Sequence, residues 1–152
     1  MLAALLLASC GDDRPGNVQA AEQAVDPALA QYLARLGELS PKEAGAIEAV
    51  MAQTGGGYKD DATLLAALKD TALPRYREFV AGLHALPAPG GELGALHARL
   101  TQLADEELAL LERLARAIER GDGTAVLYVN REHARVRGQM EALIQELRPG
   151  RR

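Results

Sequence analysis

The sequence predicts an all-α protein, an up-down-up-down bundle of four helices. Three observations carry that prediction. Apolar residues recur at spacings of three and four through most of the chain, the period of one helix face. Glycine and proline gather in a few clusters between those stretches, where helices stop and turn. The links are short, and short links make successive helices antiparallel neighbours. A chain of 152 residues is about one domain of sequence, so one bundle accounts for it.

The first helix is expected over residues 27–54. Asp26-Pro27 supplies an N-cap and then proline at the first helical position, where its missing N–H costs nothing. Leu29, Leu33 and Leu36 mark an apolar face, which Ile47, Val50 and Met51 continue. Between them, Ser40-Pro41-Lys42-Glu43 has the form of a second start, with Ser40 as cap and Glu43 three residues on. One helix broken or kinked near Pro41 is therefore expected, with two short helices as the alternative. Gly55-Gly56-Gly57 ends this element, and Asp60 or Asp61 caps the next.

The second helix carries the stripe Leu65, Leu68, Ala72, Tyr76, Phe79, Leu83 and Leu86. Pro74 lies inside it. Proline removes one backbone donor and crowds the preceding turn, so a kink is expected near Leu73. Pro87-Ala88-Pro89-Gly90-Gly91 is a stop. The third helix, 92–120, has the heptad stripe Leu93, Leu96, Leu100, Leu103, Leu110, Leu114 and Ala117, widened by Leu108, Leu111 and Ile118. Gly121-Asp122-Gly123-Thr124 provides a terminating glycine and then a cap. The fourth helix, 125–147, repeats Val126, Val129, His133, Val136, Met140, Leu143 and Leu147 before Pro149-Gly150 ends it.

The core is mostly leucine and alanine: 25 Leu and 29 Ala stand against four Tyr, one Phe and no Trp, so helices can approach closely. Reversal of the chain at Asp122 sets a register for the last hairpin. It places Glu107 opposite Arg137, Glu112 opposite Arg131 or His133, and Arg113 opposite Glu132. Such flank pairs fix register and contribute under about 1 kcal/mol each.

Charge excludes one class of function. The net charge is −4. Residues 11–61 hold nine acids and four bases, net −5, and residues 62–152 hold twelve acids and thirteen bases, net +1. Neither half has the concentrated basic face of a nucleic-acid binder. Arg148, Arg151 and Arg152 form only a small basic tail.

The chain opens Met1-Leu2-Ala3-Ala4-Leu5-Leu6-Leu7-Ala8-Ser9-Cys10, and Cys10 is its one cysteine. Leu2 to Ser9 is too short to span a bilayer but fits the apolar core of a secretory signal. Leu7-Ala8-Ser9-Cys10 resembles the lipobox of bacterial lipoproteins. That resemblance implies diacylglyceryl transfer to the Cys10 thiol, cleavage before it, and acylation of the new amino terminus. The following Gly11-Asp12-Asp13-Arg14-Pro15-Gly16-Asn17 is polar and turn-rich, as a tether should be. More than one acyl chain gives stable anchoring, where one is marginal. Gly11, rather than Asp, after the cysteine favours the outer membrane by the family's sorting pattern. The expected organisation is a signal peptide over 1–9, a lipidated Cys10 and flexible tether over 10–25, a bundle over 26–148 and a tail over 149–152. Leu73-Pro74-x-Tyr76 with Pro89 and Leu96-His97 is similar to helical lipoproteins of bacterial envelopes, a likeness that implies no activity.

The chemistry-bearing residues are few. Glu-x-x-His, the di-iron spacing, is missing before His84, His97 and His133, where Ala81, Gly94 and Asn130 stand. His84 and His97 flank one turn and are candidate metal ligands with a nearby acid. His133 occupies an apolar-stripe position, where a bond to Glu112 is expected. The plan resembles the periplasmic four-helix cytochromes of the b type, but Met51 lies at the wrong end of the first helix and residues 140–147 contain no His. No cofactor is therefore expected. Gly-x-Ser-x-Gly is absent, and Gly55-Gly56-Gly57-Tyr58-Lys59 lacks the spacing and the strand of a phosphate loop.

These observations lead to an expected non-catalytic, lipid-anchored bundle of the bacterial envelope, facing the periplasm and acting by protein binding or scaffolding. Tyr32, Tyr58 and Tyr128 are its candidate partner contacts. The alternative is a periplasmic binder of a small ligand or metal, using the bundle interior or the His84/His97 hairpin.

Overall fold

The structure, a computed structural model, describes residues 27–55 and 58–147. The signal, the tether, Cys10, Asp26, Gly56, Gly57 and the tail lie outside the described residues. Four helices pack against one another, with no strand among the described residues. α1 is Pro27–Thr54. α2 is built of three consecutive pieces, Asp61–Ala67, a π turn at Leu68–Ala72, and Leu73–Ala85. α3 is Gly91–Glu119 and α4 is Gly123–Glu146.

The caps explain the boundaries. Asp60 adopts extended backbone and accepts from the Thr63 amide at 2.7 Å, so Asp60 rather than Asp61 starts α2. The Asp122 carboxylate likewise accepts from the Ala125 amide, at 2.9 Å. Gly121 before it takes φ +64°, the left-handed conformation that glycine adopts without a side-chain penalty. α4 therefore starts at Gly123, two residues earlier than the stripe suggests.

The two prolines have different outcomes. α1 is one helix through Pro41, so the alternative of two short helices is excluded. Ser40 does not cap a second start. Its hydroxyl donates to the Leu36 carbonyl one turn back, at 3.4 Å, the bond an interior serine makes. At Pro74 the helix widens first. The Leu73 amide reaches the Leu68 carbonyl, five residues back, and Pro74 follows as α-helix resumes. A π turn is one of the few physical causes of a helix bend.

α1 lies along α2, α2 against α3, and α3 against α4. Tyr76, Leu83, Leu143 and Val136 are the largest fully buried side chains. The stripes of α2, α3 and α4 are buried or partly buried as their spacing predicts. α1 departs from its prediction. Ile47 and Met51 are 44 % and 52 % exposed, not part of the core face. Tyr32, Gly45 and Ala46 take the buried positions instead. Ala46 and Ile47 lie about 100° apart around the helix, so burying one turns the other outward. Two small residues set the α1–α2 spacing. A Cβ at Gly82 would meet Leu39 Cδ2 at 2.5 Å, and one at Gly45 would meet Arg75 Nη1 at 2.6 Å.

Candidate functional site

The most chemically loaded place in the described molecule is a buried polar cluster to which every helix contributes. Glu107 of α3 is its centre and is 3 % exposed. The Tyr76 hydroxyl of α2 donates to Glu107 Oε2 at 2.7 Å. His133 Nε2 of α4 lies 3.0 Å from Oε1. A carboxylate only accepts, so the His133 proton sits on Nε2. Arg137 of α4 lies 3.6 Å from the same oxygen and donates to Glu43 of α1 at 2.8 Å. Arg75 of α2 donates to the Gly45 carbonyl at 3.0 Å, over the space left by that glycine's missing side chain.

Electrostatics follows from this arrangement. Burial alone pushes the Glu107 carboxyl up. The hydrogen bonds from His133 and Tyr76, with the Arg137 charge, outweigh burial and hold it below the ordinary carboxylate value. Burial, reinforced by the Glu107 charge, pushes the Tyr76 phenol far up, so it remains a donor. Burial opposes the charge on Arg137, but Glu107 and Glu43 sustain it. Among the described residues no buried side-chain nitrogen or oxygen lacks a partner. Both oxygens of Glu107 are engaged and the group is sealed, which suits holding helices in register rather than receiving a substrate.

The hairpin register is met where it matters most, at Glu107 and Arg137, and two predicted partners are corrected. His133 bonds Glu107, not Glu112. Glu112 is five residues on, which turns it about 140° around α3, and it pairs with Arg77 of α2 at 2.8 Å. Arg113 does not meet Glu132. Its guanidinium lies over the Tyr128 ring, 5.2 Å from the centroid, and Glu132 pairs with Arg135 at 2.9 Å. Arg135 also reaches Glu106 across the hairpin.

The histidine hairpin is split between surface and interior. His84 is exposed, with Nε2 3.0 Å from Asp105. His97 is 8 % exposed, and its Nδ1 lies 3.2 Å from the Tyr32 hydroxyl, the two rings edge-on at 89°. Burial, then the neighbouring His84, hold His97 below its ordinary value, so it stays neutral. Among the described residues no three His, Cys, Asp or Glu are arranged to hold a metal.

The three tyrosines also separate. Tyr32 is 5 % exposed, a core residue rather than a surface contact, because His97 offers its hydroxyl a partner inside. Tyr58 is 71 % exposed and donates to Asp61 at 2.9 Å. Tyr128 is 50 % exposed beside Leu127 at 72 %. A shallow open groove lies farther along the α3–α4 hairpin, between Leu96, Arg99, Ala142 and Glu146, bridged by the Arg99–Glu146 pair at 3.3 Å.

Sequence reasoning missed the role of Tyr76 and the burial of Glu107. The signal was present: in the α3 stripe, Leu103 and Leu110 are seven apart, and Glu107 fills the heptad slot between them. Comparison of the chain with protein families, with curated proteins and with solved structures found no match.

Proposed function

We propose that the chain is a lipid-anchored, non-catalytic bundle of the bacterial cell envelope, facing the periplasm and acting by protein binding or scaffolding at the membrane surface. The observation that carries this reading is Leu7-Ala8-Ser9-Cys10 followed by the polar run from Gly11 to Asn17. No described helix is long and apolar enough to cross a membrane, so in this reading attachment falls to acyl chains on Cys10. Gly11 favours the outer membrane as destination. The burial of Glu107, with both of its oxygens bonded, supports a structural use of the interior. Tyr58, Tyr128 and Leu127 are the exposed groups a partner would meet.

Mass spectrometry of the protein extracted from its native membranes tests the reading. The expected species begins at Cys10 and carries the added mass of diacylglyceryl and acyl groups. Cys10→Ser moves the protein into the soluble fraction. An unmodified chain that retains Met1 and fractionates with the cytosol would remove the envelope assignment.

A further inference from the structure

The tip of the α3–α4 hairpin gathers more arginines than acids to hold them. Arg113, Arg116 and Arg120 are exposed and follow at spacings of three and four, so they share one face of α3. The Arg113 guanidinium lies over the Tyr128 ring of α4, 5.2 Å from its centroid, which sets that face beside Tyr128. Arg131, three residues on from Tyr128, is exposed as well. Arg113, Arg120 and Arg131 make no ion pair among the described residues, and Arg116 meets Glu112 only at 3.9 Å. The neighbouring acids are held elsewhere. Glu112 bonds Arg77 of α2, and Glu119 bonds Lys69 of α2. Glu106 and Glu132 both bond Arg135, and Asp122 caps α4. Next to Tyr128, Leu127 is 72 % exposed, the most exposed large apolar side chain among the described residues.

A leucine and a tyrosine bordered by arginines fit one kind of surface. The aliphatic group enters the acyl boundary, the tyrosine lies at headgroup level, and the guanidinium groups reach phosphates. The tip is convex, two helix ends joined by a tight turn, and the open groove of this hairpin lies at its other end. Six side chains on a convex end are a small footprint for a folded partner, which needs about 800 Å² of each surface. A fluid headgroup layer conforms to them instead. The chain as a whole carries −4, so an anionic layer attracts this tip against the charge of the rest and thereby orients the molecule. We propose that the α3–α4 tip docks on an anionic phospholipid surface, with Arg113, Arg116, Arg120 and Arg131 on the headgroups and Leu127 inserted between them. The antiparallel order of the helices puts this contact at the opposite end of the bundle from Pro27. The contact does not depend on acylation of Cys10.

Co-sedimentation of the full chain carrying Cys10→Ser with phospholipid vesicles tests it, because no acyl chain then contributes. At low ionic strength the chain should bind vesicles of equal parts phosphatidylglycerol and phosphatidylcholine, should ignore phosphatidylcholine alone, and should be released by salt. Arg120→Glu with Arg131→Glu, both exposed, should lower the partition coefficient by at least about tenfold. Leu127→Ser should lower it by about fivefold. Arg35→Glu, the same charge change on α1 away from the tip, should leave it within about twofold. Circular dichroism checks that each variant remains folded. Absence of binding to the anionic vesicles, equal binding to neutral ones, or equal losses in Arg35→Glu and the tip variant overturns the proposal. So does retention of an acidic envelope protein through these arginines by a chain that leaves the vesicles unbound. None of these outcomes alters the mass expected at Cys10, so failure here and failure of the lipid-anchor reading are separately visible.

Discussion

The α3–α4 hairpin and helix α1 are held by different means. In the hairpin, an apolar side chain is buried at almost every turn of both helices, from Leu93 to Ile118 and from Val129 to Leu147. The polar groups that interrupt the buried stripes are partnered: Glu107 by Tyr76 and His133, and His97 by Tyr32. α1 is as long, yet among its described side chains the buried apolar ones are Tyr32 and Ala46. The rest of its attachment comes from partly buried leucines, the Arg137–Glu43 bond and the close approach at Gly45 and Gly82. The hairpin is a frame closed on itself. α1 lies against α2 and turns its second apolar surface outward.

The largest effect should come from the polar centre. Glu107→Ala leaves Arg137 short of a counter-charge and strips the Tyr76 hydroxyl of its acceptor. It is expected to cost about 3–5 kcal/mol in urea denaturation, the scale of a broken buried ion pair. Glu43→Ala, at the α1 edge of the same cluster, should cost clearly less, because Glu107 still faces Arg137. Equal losses would contradict the asymmetry between frame and outer helix.

Side-chain truncation sharpens the contrast. Leu143→Ala in the hairpin should cost about 2–5 kcal/mol, the range for a sealed leucine. Met51→Ser on α1 should change the stability by no more than about 0.5 kcal/mol. A smaller step separates two glycines. A Cβ at Gly94 would meet the Pro89 carbonyl oxygen at 2.2 Å, which is backbone and cannot swing away. Gly94→Ala is expected to cost about 1–3 kcal/mol. Gly82→Ala should cost less, since the atom it meets is the tip of Leu39.

The smallest effect is a pH dependence. His97 is held below its ordinary 6.5 in the folded chain, so the unfolded chain takes up its proton first as pH falls. That contribution is complete above pH 6.5 and declines below it. Glu107, held below its ordinary 4.5, contributes fully above that pH and loses its contribution as pH falls through the lower folded value. Denaturation midpoints should therefore fall on acidification in two stages. His97→Gln should abolish the first stage alone. An unchanged first stage in that variant would show that His97 is not its source.

Much of this was legible in the sequence because helix period and turn residues are local signals. The stripes of α2, α3 and α4, the Gly121-Asp122 turn and the Glu107–Arg137 pair all follow from spacing. The π turn did not: Pro74 marks a disturbance, but which neighbouring carbonyl each amide finds depends on packing around Leu68 and Ala72. α1 was misread at Ile47 and Met51 because this helix carries apolar residues on two faces, and periodicity alone does not say which is inside. Tyr32 was misplaced for a related reason. Its burial is decided by His97, 65 residues away in sequence. The partner of Glu107 on α2 was likewise a tertiary fact, although the carboxylate's place in the leucine stripe pointed inward.

Amide hydrogen exchange on the Cys10→Ser chain tests the difference between the two regions most directly. Amides of α3 and α4 around Leu100–Leu110 and Val129–Leu143 should open only with global unfolding. Those of α1 should exchange through a cheaper, local opening, with the segment around Tyr32 slowest within its first half. Protection of α1 equal to that of the hairpin would contradict the account.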